Sequence, residues 1–555
     1  MIIFSFLFVT FMCHEVIFAF DESISIKTSA LHAEVSEKFV GVAIDTGVVR
    51  RHWEKFHPNS QKVITLARGL SPCNLRVGGT DADFLTFKDD GSDCKGGSYK
   101  RFKQYFKTDH PNTVITEKKI DHFIEFFDDN DNAADNDDET LRFKPDKTVY
   151  DEENVIKLQR DVGYNVNEHH VNFTMTATFY DQLHHFVSNV GWELIFDLNS
   201  LLRVGANAWN STNAHQLINY TATCGYKMAG WELGNEPDEY NNTDIKRQII
   251  PTEQLSKDFQ HMKDIVRQYA LFDNCSILGP SIAAMSIQPR TEYYYSFLKS
   301  GGGNIVTAAT FHQYYLNGRV ATEEQFYDPD VLNILYDEIQ TGVNLTRAAG
   351  SPANVWLGET SSAWGGGAVG LSDRYIAGFL WLDKLGMAAR DGIYALIRQT
   401  FYGGHYSLID SDTLNPNPDY WLTLLYKLLV SNKVLHVTST DSKGSVRMYA
   451  HCTDTRRSGY GAGSVTVFIL NLNPAPVIVK LMEFPSQTLH VYNLTPTDGD
   501  LLSQSVDLNG VTLSMVDDKT LPNLLQPIKT SGFVPISGLT FSFIVIPDAG
   551  VSICS

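Results

Sequence analysis

The chain has 555 residues, 43% of them hydrophobic, and a formal charge of −19 at pH 7. That is a globular composition with room for one large domain and a smaller one, since single cores rarely grow far past about 250–300 residues. So acidic a balance argues against a nucleic-acid partner.

The first twenty residues, "MIIFSFLFVTFMCHEVIFAF", are almost wholly apolar and give way to "DESIS". They read as a secretory signal peptide (1–20), cleaved near Ala19 or Phe20, although the usual basic start is missing. The alternatives are an N-terminal membrane anchor or a core strand, disfavoured by His14 and Glu15 within the run. No later segment is long and apolar enough to span a bilayer, so no stable membrane insertion is expected. Residues 21–39 are expected to add a strand to the C-terminal domain.

From residue 40 short apolar runs alternate with helical patterns. The runs are "VGVAID" (40–45), "NLRVGG" (74–79), "WELIFDLN" (192–199), "GWELGNE" (230–236), "SILGPS" (276–281), "TAATFHQYY" (307–315), "VWLGET" (355–360) and "YALIRQTF" (394–401). Near-continuous apolarity ending in a polar residue is the mark of strands buried on both faces. Between them, "PTEQLSKDFQHMKDIVRQYA" places Leu255, Phe259, Met262, Val266 and Tyr269 on one helical face, with Thr252 as its expected cap. "LSDRYIAGFLWLDKLGMAARDG" gives a second helix after Ser372. Eight strands with intervening helices predict an α/β fold, a (β/α)8 TIM barrel over 40–420, with its site at the C-terminal strand ends. Asp45, Thr80, Asn199, Glu236, His312, Tyr314, Glu359 and Tyr406 all fall at those ends. An open doubly wound sheet is the alternative, but no phosphate-binding glycine loop follows the first strand.

An insert at 91–160 interrupts the barrel. Residues 121–154 within that region carry thirteen acids against three bases, a block expected to be solvated linker or a processed segment. From 421 to 555, "SVRMYAHC", "GSVTVFILNLN", "PVIVKLMEF", "QTLHVYNL", "GVTLSM" and "LTFSFIVIP" alternate at period two. They predict a β-sandwich without obvious catalytic groups.

Six cysteines lie beyond the signal, with no CxxC pair or Cys/His cluster, so no metal and no cofactor are expected. Cys452 and Cys554 fall on the first and last regions of the predicted sandwich, where a disulfide would pin the C-terminus; the pairing of Cys73, Cys94, Cys224 and Cys275 stays open. Seven Asn-x-Ser/Thr sequons, at Asn172, Asn210, Asn219, Asn241, Asn274, Asn344 and Asn493, fit an exported glycoprotein.

"AGWELGNEPDEYNN" (229–242) and "VWLGETSSAWGGG" (355–367) each end an apolar run with a glutamate, Glu236 and Glu359. Two carboxylates from separate barrel strands suit glycosidic cleavage, one protonated to donate to the leaving oxygen and one ionised to attack. Strand-end acids such as Glu232 and Asp45 are equally open to structural pairing. Together with "FHQYYLNGR", "PDYWLTLLYKLLV", "LARGLSPCNLRVGGT" and "MVDDKTLPNLL", these motifs resemble the heparanase family of retaining endo-β-glucuronidases from residue 40 to the C-terminus.

The resemblance implies hydrolysis of glucuronosyl-glucosamine linkages in heparan sulfate by double displacement, with Glu236 as acid/base and Glu359 as nucleophile. It implies that Asn235 bonds the sugar 2-hydroxyl and that His312 and Tyr314 orient the nucleophile. Asp45, Thr80, Arg290, Arg319, Gly365, Gly366, Gly404 and Tyr406 match substrate-contacting positions. It also implies heparan sulfate proteoglycans as partners, excision of a linker by a processing protease, a secreted or lysosomal location and the Cys452–Cys554 bridge. An exo-acting β-glucuronidase and a catalytically silent binder of heparan sulfate or a receptor are the alternatives. The chain departs from the family in its cations: Thr291 and Glu292 follow Arg290, and His169 and His170 stand where basic clusters are expected. Fewer fixed cations should favour less sulfated chains or acidic conditions. The family partner expected for Cys94 lies in "FVSNVGW", which has no cysteine, so that bridge is not expected.

Overall fold

The computed structural model describes residues 20–53, 55–94, 170–205, 207–242, 245 and 247–555. All but the last residue of the expected signal peptide, His169 and all but the first residues of the acidic insert lie outside these. We number the principal elements in chain order. After β1 (Phe20–Lys27) come β2 (Val40–Asp45), α1 (Thr46–Arg50), α2 (Gln61–Gly69), β3 (Cys73–Gly78), α3 (Ala177–Val190), β4 (Trp192–Leu198), α4 (Thr212–Thr223) and β5 (Met228–Leu233). There follow α5 (Thr252–Val266), β6 (Ser276–Ile282), α6 (Gln288–Phe297), β7 (Ala308–Asn317), α7 (Pro329–Ala348), β8 (Asn354–Trp364), α8 (Ala377–Asp391), β9 (Ile393–Tyr402) and α9 (Pro418–Leu429). Strands β2 to β9 close into one parallel barrel. One strand face meets the barrel interior and the other the helices, which is why the runs read as continuously apolar.

Three local expectations change. Strand β5 stops at Leu233, so Glu236 lies three residues beyond it. Thr252 is the first helical residue of α5 after Pro251, and its hydroxyl bonds Glu253 instead of capping the helix. Helix α8 begins at Ala377, because Ser372 is buried against Ser362 in the preceding loop.

The sandwich strands are β10 (Val430–Ser439), β11 (Val446–Thr453), β12 (Val465–Asn471), β13 (Val477–Leu481), β14 (Thr488–Pro496) and β15 (Thr540–Ile546). They hydrogen-bond in the order β14–β15–β12–β11–β10–β1–β13, so the N-terminal strand β1 lies between β10 and β13. Ile24, Val467, Val479 and Ile544 from both halves of this sheet share one apolar core. The predicted strand in "GVTLSM" shrinks to Val511–Thr512. Helix α8 joins the two domains. A Cβ on its Gly386 would stand 2.2 Å from the Tyr449 ring of β11, so only glycine permits that approach.

Cys452 is bonded to Cys554, which sits in a 3-10 turn after the last strand. Cys94 is bonded to Cys224 at the end of α4, 130 residues away. The bridge at Cys94 therefore exists with a different partner position from the one considered, while Cys73 and Cys275 are free and buried.

Candidate active site

The site is organised around an arginine in a strand. Arg76, midway along β3, is fully buried inside the barrel. Its Nε donates to Glu232 at 2.7 Å, Nη1 to Glu359 at 2.8 Å and Nη2 to the Asn235 side-chain oxygen at 2.9 Å. Asp197, beside Glu232 in the β4–β5 register, is 3.8 Å from Nη2. Burial alone would lower the pKa of the guanidinium, but the Glu232, Glu359 and Asp197 carboxylates outweigh it and raise that pKa. Glu232 is thus the paired structural acid that one reading of the sequence allowed. Arg76 itself was missed, although an arginine inside an otherwise apolar strand run was a visible signal.

Glu236 is presented by a turn. After β5, Gly234 and Glu236 both take left-handed backbone, at φ +83° and +53°. A Cβ at Gly234 would lie 2.4 Å from the Tyr240 hydroxyl. The turn is held by the Asn235 N–H donating to Asp83 at 2.9 Å and the Glu236 N–H donating to the Ser281 carbonyl at 2.9 Å. Asp83 also accepts from Tyr240 and Ser200, so one buried carboxylate ties three segments behind the acid/base candidate. Pro237 then opens a short 3-10 turn, its fixed φ suiting the first helical position.

Tyr314, near the end of β7, donates to Glu359 Oε1 at 2.6 Å. His312, two residues earlier, places Nδ1 2.8 Å from Glu236 Oε1. Of the two residues expected beside Glu359, Tyr314 hydrogen-bonds it, whereas the His312 hydrogen bond goes to the other glutamate. One oxygen of Glu236, one of Glu359 and a ring nitrogen of His312 lie within 4.8 Å of one another. Although such a trio can hold a cation, Arg76 and Tyr314 already aim hydrogen-bond donors at both Glu359 oxygens. Burial raises the Glu359 carboxyl, but the His312 ring, the Arg76 guanidinium and the hydrogen bonds from Tyr314 and Arg76 outweigh it and hold its pKa below the usual value.

The remaining candidates surround this pair. Asp45 ends β2 and accepts from the Gly47 N–H at 2.7 Å; burial, then Asp81, push its carboxyl up to about 6. Thr80 opens the turn after β3. Gly365 and Gly366 follow β8 with φ +80° and +93°, and a Cβ at Gly404 would meet the Gly366 carbonyl at 3.0 Å. Tyr406 stacks on Tyr314, the phenol that donates to Glu359, with centroids 6.3 Å apart. Arg290, on α6, is bound by Glu239 at 2.7 Å. Arg319 is exposed on the loop after β7. Of the sequons, Asn172, Asn219, Asn241, Asn274 and Asn344 are exposed. Asn210 and Asn493 are half-buried, and Asn493 accepts from buried Ser542 within the sandwich.

Residues 145–386 match the description "Glycosyl hydrolase family 79, N-terminal domain". The chain is 35% identical to heparanase from Mus musculus, covering 94% of this chain and 92% of that protein. The chain belongs to glycosyl hydrolase family 79. Within this family of glycoside hydrolases it is also 32% identical to a hyaluronoglucuronidase from Hirudo nipponia, over 96% of this chain and 99% of the relative. It is 33% identical to inactive heparanase-2 from Mus musculus, over 94% and 87%. Among solved structures, a 4-O-alpha-L-rhamnosyl-beta-D-glucuronidase from Fusarium oxysporum superimposes with a TM-score of 0.62 at 14% identity, covering 94% of this chain and 99% of that one. At that identity the likeness shows the shared barrel-and-sheet fold.

Proposed function

We propose that this family 79 hydrolase is a retaining endo-β-glucuronidase that cuts heparan sulfate chains. One observation carries the mechanism: the two carboxylates approach within 4.8 Å, with opposite surroundings. Retaining enzymes hold theirs about 5–5.5 Å apart, whereas inverting ones need about 6.5–9.5 Å for an intervening water. Glu359, gripped by a guanidinium and a phenol, is committed to the ionised form and suits attack on the anomeric carbon. Among the described residues Glu236 has no ion pair with an arginine or lysine; it is partly open to solvent and shares an imidazole, so it can donate a proton to the leaving oxygen and later take one from water.

Asn235 is held through its side-chain oxygen by Arg76, which leaves its amide hydrogens for the sugar 2-hydroxyl. Gly365 and Gly366 would offer backbone N–H groups to the uronate carboxylate, with Tyr406 beside them. Asp45, Thr80 and Arg319 would complete the cleft. The silent-binder alternative is disfavoured because both glutamates keep their partners in place. Entry to the secretory pathway, and removal of a segment within the 91–160 insert by a protease, belong to the same proposal and are supported by the apolar leader, the exposed sequons and the acidic insert.

The test is heparan sulfate chain length by gel filtration after incubation at about pH 5. Wild type should yield fragments of intermediate length, and Glu236→Gln and Glu359→Gln should each lose roughly 10³-fold or more of the activity. Free glucuronate as the sole product would move the assignment to exo action. Chains left full-length even after limited proteolysis of the enzyme would refute it.

A further inference from the structure

Resting on the glucuronidase reading, the structure assigns the leaving-group side of the cleft to sugars without sulfate: we infer that the preferred substrate is an unsulfated β-glucuronosyl–N-acetylglucosamine polymer or stretch. The acid/base must reach the leaving oxygen, so we place the turn that follows it, rather than Asn235 before it, on the side of the leaving sugar. Immediately after Glu236, the turn Pro237–Glu239 adds two more carboxylates, Asp238 and Glu239. Arg290, the cation positioned to meet a sulfate there, is bound by both. Its Nε donates to Glu239 Oε1 at 2.9 Å, its Nη2 lies 2.7 Å from the same oxygen, and its Nε is 3.7 Å from Asp238.

This arrangement opposes a sulfate twice. The guanidinium fork that would grip it is occupied by a fixed carboxylate. A sulfate approaching Arg290 must also come up to Glu239 itself, like charge against like in a partly shielded cleft. Arg290 and Glu239 side chains are only 26% and 27% exposed, so solvent screens them incompletely. Asp238, at 3% side-chain exposure, is fixed further by the Ala283 N–H at 3.1 Å and cannot swing away.

Two further arginines near the mouth are committed in the same way. Arg50 pairs with Asp81 at 2.9 Å, and Arg76 is enclosed by Glu232 and Glu359. His170, beyond the acidic insert, also goes to Asp81. Among the described residues Arg319, and Arg247 on the loop that follows Glu236, are exposed arginines without an ion pair. An unsulfated polymer loses little from this neutralisation. Its uronate carboxylate calls for backbone N–H donors such as those of Gly365 and Gly366, and its acetylated amine carries no charge.

The experiment compares the full chain on three polymers at equal uronate concentration: heparosan, hyaluronan, and a heparin fraction sulfated on nitrogen and oxygen. Rates are read from reducing ends released, with Glu236→Gln as the blank. The expected result is cleavage of heparosan, hyaluronan or both at a rate roughly tenfold or more above the heparin fraction. The two unsulfated arms report which glucuronide linkage is taken. Glu239→Gln, which releases the Arg290 fork, should shift the sulfated-to-unsulfated rate ratio upward by roughly tenfold. Heparin cleaved as fast as or faster than both unsulfated polymers, with a ratio that Glu239→Gln leaves unmoved, would overturn the inference while leaving the glucuronidase intact. No cleavage of any of the three would overturn both.

Discussion

The barrel and the sandwich handle buried charge in opposite ways. Inside the barrel and at its mouth, Arg76, Asp83, Asp197, Glu232 and Glu359 are all buried, and Arg398 with Asp419 forms a further enclosed pair. Among the described residues of sandwich strands β10 to β15, no acid, lysine or arginine is buried. Removing a charge from water is expensive, and exchanging a buried ion pair for apolar side chains is often neutral or stabilising. The sandwich follows that economy, and the barrel departs from it where two strands must deliver carboxylates to one substrate. The difference locates the chemistry without reference to any relative.

Arg76→Met breaks this contrast most severely. It leaves Glu232 and Glu359 buried without their cation, which should lower stability by about 3–5 kcal/mol in urea unfolding. Activity should fall at least as far as in Glu359→Gln, because the nucleophile would then hold its proton. A variant that kept wild-type stability would mean the buried acids are satisfied by one another, and the view of Arg76 as the organiser of the site would fall.

Much of the fold was legible. All eight barrel strands lie at the predicted apolar runs, because burial on both faces writes itself into composition. What failed to show was set by tertiary contact. The left-handed turn that aims Glu236 depends on Asp83 and Ser281, which lie 153 and 45 positions from it in the chain. The Cys94–Cys224 bridge spans 130 residues, and spacing does not encode connectivity. Strand β10 runs straight on from α9 through "LLVSNK", with no glycine or proline to mark the change. The choice of glutamate for His312 was likewise beyond reach, since β7 and β8 place its ring near both.

A pH experiment sharpens the comparison, because each domain contains a buried group of opposite sign. Burial pushes Glu338, on α7 of the barrel, up to about 7, against the nearby Lys384 charge that lowers it. Burial pushes His451, in the sandwich, down to about 4, despite its hydrogen bond to the Ser431 carbonyl. Glu338 folds protonated, so its contribution is present at low pH and lost as pH rises from its unfolded value towards 7. His451 folds neutral, so its contribution is present above its unfolded value and lost as pH falls towards 4. Relative to wild type, Glu338→Gln should therefore gain stability between pH 5 and pH 7.5, and His451→Gln should gain it between pH 7 and pH 4.5. Each swing should amount to about 1–3 kcal/mol in chemical unfolding. Parallel rather than opposed trends would contradict the assigned protonation states.

Tyr314→Phe makes the smallest change and tests the asymmetry within the barrel itself. It deletes one hydroxyl whose 2.6 Å hydrogen bond helps keep Glu359 ionised, while Arg76 stays in place. Without that donor, burial meets less opposition and the nucleophile's pKa must rise. The acid limb of the kcat/KM profile should move to higher pH, with a loss of about tenfold at pH 5, as befits one hydrogen bond to a charged group. Part of the loss should return as pH is raised, because the remaining Glu359 can still be ionised by titration. A uniform loss at every pH would mean that Tyr314 acts by shaping the sugar site, and that Arg76 alone holds the nucleophile charged.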